Sequence, residues 1–145
     1  MAEPKLLLTD APDREARRII DDGLSGHNVE HAGYWDTRPL AVLVQDPESG
    51  RTLGGLLGRT SLGLLFVDLV FLPAALRGRD IGSRILRMAE EEALRRGCRA
   101  AVLYTISFQA PGFYERHGWR EFGRIDCDPP GTARVFMTKT LLPSA

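Results

Sequence analysis

One segment limits the possible folds more than any other: "LLFVDLVFLPAALRGRDIGSRILRMAEEEALRRG", residues 64–97. It opens with an apolar run, Leu64 to Leu72, broken by a single charge, Asp68, and ended by Pro73. Such a run reads as a central strand buried on both faces. From Ile81 the apolar positions Ile81, Ile85, Ala89 and Ala93 recur every four residues, with Leu86 and Leu94 beside them. That period predicts an amphipathic helix with Glu90, Glu91, Arg95 and Arg96 on the other face, stopped by Gly97. "RAAVLYTIS" then supplies another strand, completing a strand–loop–helix–strand unit. The loop carries Arg77, Gly78 and Arg79, and the helix start carries Gly82. A helix disfavours each glycine by up to about 1 kcal/mol relative to alanine. Either the chain turns there or something approaches its backbone.

The rest of the chain supports a sheet-rich single domain spanning residues 1–145. "KLLLTD" predicts a short first strand, and "APDREARRIIDDGLSGHN" a helix, with the following "VEHAGYWDTRP" mixing a helical turn and loop. "LAVLVQD" and "RTLGGLLGRT" are two strands joined by the turn "PESG". "APGFYERHG" predicts a short helix begun by Pro111 and closed by Gly118, with His117 exposed on it. "WREFGRID" and "ARVFMTKTL" are final strands around "CDPPGT". Acidic and basic residues balance at 19 each, against a general nucleic-acid binder. The leucine run near the start is far too short for a membrane span, and Cys98 and Cys127 suit reduced thiols, so a cytoplasmic setting is expected.

A buried strand leading through a glycine- and arginine-bearing loop into a helix is an arrangement that binds anions. The first helical turn leaves N–H groups unpaired, and the helix dipole favours negative charge there. Glycines at 78 and 82 would let a phosphate approach the backbone, and Arg77 and Arg79 would add charge-assisted hydrogen bonds. The segment contains neither G-x-G-x-x-G nor a Walker-type Gly-Lys-Ser/Thr. Taken alone, it reads equally as a solvated turn or as the seat of a pyrophosphate-bearing ligand.

Adding "SFQAPGFYERHGW" separates these readings. With "LRGRDIGSRIL" it resembles the GNAT superfamily of acyl-CoA-dependent N-acetyltransferases, over roughly Leu40 to Leu141 in element order. The family's nucleotide motif, Arg/Gln-x-x-Gly-x-Gly/Ala, is met by Arg77 and Gly82, with Asp80 in the first glycine position. Its later motif, Asn-x-x-Ala-x-x-x-Tyr-x-x-x-Gly-Phe, is met by Ala110, Tyr114 and Gly118, with Ser107 for Asn and Trp119 for Phe. Asp80 reads as a cap of the helix rather than a phosphate contact. The shorter Ser107 leaves its contact to the pantetheine arm open.

The resemblance implies an α/β (α+β) fold, a mixed, mostly antiparallel twisted sheet flanked by helices and splayed centrally for acyl-CoA. It implies acetyl transfer from acetyl-CoA, without a metal, to an amine. The coenzyme would be held by Val70, Leu72, Ser107, Ala110 and the loop Arg77, Gly78, Arg79, Asp80, Ile81, Gly82 and Ser83. Tyr114 would donate a proton to the coenzyme sulfur; otherwise it and Phe113 are core aromatics. Strand alternation puts Asp68, Val70 and Leu72 on one face. Asp68 reads either as the base or as a carboxylate paired with an arginine such as Arg134.

The segment "GHNVEHAGYWD" has the composition of a binding wall, and in similar proteins the corresponding early helices form the acceptor side, which would make His31, Tyr34 and Trp35 substrate contacts; either aromatic taken alone reads rather more readily as an anchor of its loop to the core. The expected acceptor is a small-molecule amine, with no nucleic acid or membrane as partner and with a homodimer in keeping with the family. A non-catalytic acyl-CoA sensor, or an acetyltransferase acting on protein lysines or N-termini, are the competing readings.

Overall fold

The computed structural model describes residues 2–109 and 111–142. They fall into two compact units divided between Trp35 and Asp36. The first contains helix α1, Arg14–Ala32. Asp13 caps its start by accepting from the Ala16 N–H at 2.7 Å, and Gly33 closes it at φ 86°. Within its own unit no side chain of α1 is buried. The strand expected at Lys5–Asp10 does not form. Leucine is not β-branched, and the run does not alternate, so nothing in it favours a pleated surface over irregular chain.

The second unit is a six-stranded sheet in the order β1-β2-β3-β4-β6-β5, built from β1 Arg38–Gln45, β2 Thr52–Ser61, β3 Leu64–Phe71, β4 Ala100–Ile106, β5 Arg120–Cys127 and β6 Thr132–Thr140. Only β3 and β4 run parallel; every other neighbouring pair is antiparallel. Their crossover contains a 3-10 turn, Ala74–Leu76, and helix α2, Ile81–Arg95. Helix α3, Pro111–Arg116, joins β4 to β5, with Gly118 at φ 89° behind it. Among the described residues no helix is long and apolar enough to cross a membrane.

One sheet face carries the core. Ile85, Leu86, Ala89 and Ala93 of α2 pack with Leu56, Leu65, Val67, Leu103, Val135 and Met137, and Tyr114 and Trp119 complete the cluster. The four-residue period thus names the packed face of α2, while Leu94 is exposed. Glu90 departs from the pattern, being buried rather than on the solvent face. Lys139 Nζ lies 2.5 Å from its carboxylate and the Trp119 indole N–H donates to it at 3.3 Å, which supplies the partners a buried charge needs.

β3 also departs from the reading of a strand buried on both faces. Leu65 and Val67 are buried, but Asp68 through Phe71 are exposed. β3 and β4 are in register only at Leu64–Ala100, Leu65–Ala101 and Phe66–Val102, and then part. A bulge accompanies the parting: Val67 faces Gly58 and Leu69 faces Leu57, leaving Asp68 as the extra residue. The bulge changes the face parity. Val70 is in register with Leu56, two residues from Gly58, so Val70 shares the face of Val67 rather than that of Asp68. Gly58 permits this geometry, because a Cβ there would collide with the Phe66 carbonyl.

Candidate active site

The loop entering α2 is open along its backbone. Among the described residues, no acceptor pairs with the N–H groups from Gly78 through Ser83; the first bond of the helix runs from the Arg84 N–H to the Asp80 carbonyl at 3.1 Å. Gly78 holds φ 74°, a left-handed conformation that explains glycine there. Asp80 holds φ 64° and ψ 8°. Its side chain therefore makes no capping hydrogen bond, contrary to expectation, and turns toward Arg87, 3.7 Å away. Aspartate is among the few residues that tolerate this region, which explains how it can stand where the motif would place glycine.

The side chains around these amides are partly committed. The Arg77 Nε–H donates to the Leu72 carbonyl at 3.0 Å, which ties the loop to the end of β3 and uses an oxygen of the proposed coenzyme path. Arg79 is exposed. Ile81 and Leu72 pack half-buried on the core. A Cβ on Gly82 would meet Phe113 at 3.4 Å and Leu72 at 3.6 Å, so this glycine faces protein rather than open ligand space. Ser83 Oγ is 2.8 Å from His117 Nε2, and the His117 ring lies edge-on to Phe113. His117 is thus half-buried and not exposed as the sequence suggested, because α3 lays it against the start of α2.

Beyond the last β3–β4 register pair the sheet opens into a cavity of about 250 Å³ lined by Val67–Val70, Leu103–Ile106, Gln109, Tyr114 and Arg134. Tyr114 is 8% exposed, with Phe113 and Trp119 rings edge-on at 5.1 and 5.9 Å. Burial pushes its phenol above the ordinary tyrosine range, so the hydroxyl keeps its proton at neutral pH. Val70 borders the same cavity. Asp68 also lines it, but its carboxylate receives the Arg59 Nη1–H at 2.7 Å, and Arg59 lies over the Phe66 ring. The arginine partner exists, and it is Arg59, not Arg134.

Ser107 serves the scaffold. Its Oγ accepts from the Ala133 N–H at 2.9 Å while its own N–H donates to the Ala133 carbonyl at 2.8 Å. Ala110 lies outside the described residues. Gln109 Oε1 accepts from Thr105 Oγ1 and the Ile106 N–H, both at 2.9 Å, and so fixes the chain as it leaves β4. In the N-terminal unit, His31 Nδ1 is 3.0 Å from the His27 carbonyl with the two rings 4.3 Å apart, and Tyr34 and Trp35 follow the Gly33 cap.

A larger opening, about 580 Å³, lies at the opposite end of the parallel pair between Asp36–Arg38, Thr60–Ser61 and the C-terminal turn of α2. Its volume does not make it the reactive centre. Arg96 donates there to Glu92, the Pro39 carbonyl and Thr60 Oγ1, so the charges satisfy one another. Cys98 at its wall is buried, which raises its thiol above the usual range and leaves it unreactive.

The chain is similar to known acetyltransferases over most of its length. The family described as "Acetyltransferase (GNAT) domain" matches residues 38–121. The acetyltransferase Atu2258 of Agrobacterium fabrum is 40% identical over 133 residues, 92% of this chain and 96% of that protein. The blasticidin-S acetyltransferase of Streptomyces morookaense is 38% identical over 109 residues, 73% of this chain and 80% of its own. A crystal structure of an Agrobacterium tumefaciens protein superposes with a TM-score of 0.88 at 35% identity, covering 94% of this chain and 99% of that one. An acetyltransferase from Bacillus cereus gives 0.76 at 27%, covering 92% and 97%.

Proposed function

The chain belongs to the GNAT family of acetyl-CoA-dependent N-acetyltransferases, and from that premise we propose that it acetylates a primary amine of a small molecule by direct transfer. One observation carries the reading: free amides from Gly78 through Ser83 adjoin a parted sheet whose cavity contains a protonated, buried tyrosine. These amides fit a diphosphate, and the parting of β3 from β4 fits an extended acyl arm. Acetyl-CoA supplies an activated thioester. The backbone of β3 at Val70 orients the carbonyl, and the unpaired amides hold the nucleotide end. The amine nitrogen forms the new N–C bond as the C–S bond breaks. Tyr114 passes its hydroxyl proton to the departing sulfur, and Asp68 receives the proton lost by the amine from the exposed rim. Asp68 releases its proton to solvent and Tyr114 regains one there before the next cycle. The small-molecule preference draws support from the similarity to the blasticidin-S acetyltransferase. Incubation with acetyl-CoA and an amine panel should release free thiol in step with acetylated amine. Coenzyme binding without thiol release for any amine would instead make the chain an acyl-CoA sensor.

A further inference from the structure

Arg134 is, among the described residues, the one charged side chain lining the cavity that this mechanism does not use. Among the described residues it has no carboxylate partner: Asp68 is held by Arg59, and Glu121 by Arg124. Its Nε–H is sealed from solvent and finds no acceptor among them. A guanidinium left half-buried without a counter-charge is costly, so the molecule must gain from it elsewhere. Its plane is not loose, because the guanidinium carbon sits 5.4 Å from the centre of the Tyr104 ring.

The sheet decides which ligand can reach it. Val135 points into the core with α2, so Arg134, its neighbour on β6, looks out of the opposite face. Register agrees, since Arg134 lies beside Ile106 and Phe136 beside the exposed Tyr104. The open amides start α2 on the core face. A diphosphate held there is therefore on the far side of the sheet from Arg134. The pantetheine arm and its acetyl group carry no anion, and the 3′-phosphate of the coenzyme lies on the nucleotide side of the diphosphate, away from the thioester. An anion at Arg134 must belong to the acceptor.

Resting on the proposed acetyl transfer, we infer that Arg134 binds a carboxylate of the acceptor, and that the substrate is an amine that also bears an acid, as in an amino acid. Two parallel N–H···O bonds from Nη1 and Nη2, the donors that are not sealed, fit a carboxylate and pin the acceptor while its amine reaches the thioester. The cavity of about 250 Å³ suits the reacting end of such a molecule.

Matched acid and amide pairs test this: leucine with leucinamide, β-alanine with β-alaninamide, and γ-aminobutyrate with its amide, each assayed by thiol release. The acid of at least one pair should show a KM about tenfold or more below its amide. Arg134→Met should erase that difference while leaving the KM for acetyl-CoA unchanged, and Arg134→Lys should restore part of it. Amides used as well as acids, an acid preference that survives in Arg134→Met, or a parallel rise in the acetyl-CoA KM would each overturn the assignment. If no amine is acetylated, the proposed function falls by that result, and binding still decides Arg134. An acid-specific rise in melting temperature of the wild-type protein, absent in Arg134→Met, sustains it; no such rise refutes it.

Discussion

Tyr114 joins the two properties that a proton donor to sulfur requires, access to the cavity and a firmly held proton. General acids contribute about 10²- to 10⁴-fold to rate. Tyr114→Phe should therefore lower kcat by about 100-fold or more while the calorimetric Kd for acetyl-CoA stays within about twofold; an unchanged kcat would remove the residue from this role. Because burial raises its pKa, the acid form persists above the ordinary tyrosine value of about 10. Loss of the acid should consequently not limit the rate on the alkaline side below that pH. Asp80 offers a second test. It bears a carboxylate beside the open amides in a conformation that glycine adopts freely. Asp80→Gly should lower the KM for acetyl-CoA about two- to fivefold by removing like charge, and a raised KM would contradict a diphosphate at this loop. The sequence pointed to Tyr114 and the loop through motif spacing, and the structure puts Tyr114 on a cavity wall and leaves the loop amides open. It did not reveal the Arg59–Asp68 pair, the Ser83–His117 contact or the unpaired Nε of Arg134, since each depends on strand register or helix placement. The capping role expected of Asp80 failed because residue preference does not report backbone φ.

At the level of elements, α2 was legible and β3 only in part. A helix writes its packed face every three or four residues, and Ile85, Leu86, Ala89 and Ala93 meet that pattern. A strand's faces follow a period of two, so one bulge reverses every assignment after it. That happens at Asp68, and with it goes the expectation that Asp68 and Val70 share a face. The signal existed in β2, whose "GGLLG" spends glycines within a strand, a common mark of bulges or close backbone approach. Gly58→Ala puts a methyl against the Phe66 carbonyl. It should cost about 1–3 kcal/mol of stability in urea unfolding and depress turnover, because the displaced bulge carries Asp68. A variant with wild-type midpoint and rate would show the bulge to be incidental.

The resemblance that identified the family required two motifs about thirty residues apart, and in the folded molecule α2 and α3 bring them together through Gly82, Phe113, Ser83 and His117. A second long-range tie holds the same helices to the sheet: Glu90 on α2, Lys139 on β6 and Trp119 after α3. Helical periodicity placed Glu90 among solvated charges, since a partner so distant along the chain leaves no local trace. Lys139→Met would strand that carboxylate and should cost about 1–3 kcal/mol, read as a lower urea midpoint; Lys139→Met with Glu90→Gln should regain most of it. An unaffected midpoint in the single variant would make the tie dispensable.

The early separation of β3 from β4 bears on how ligands are admitted. Since those strands share only three rungs, entry of a slender arm between them need not unzip any ladder. Its amide partners are free before the encounter, so capture should resemble a key entering a cut slot more than a hinge closing. Association should then proceed in a single kinetic phase.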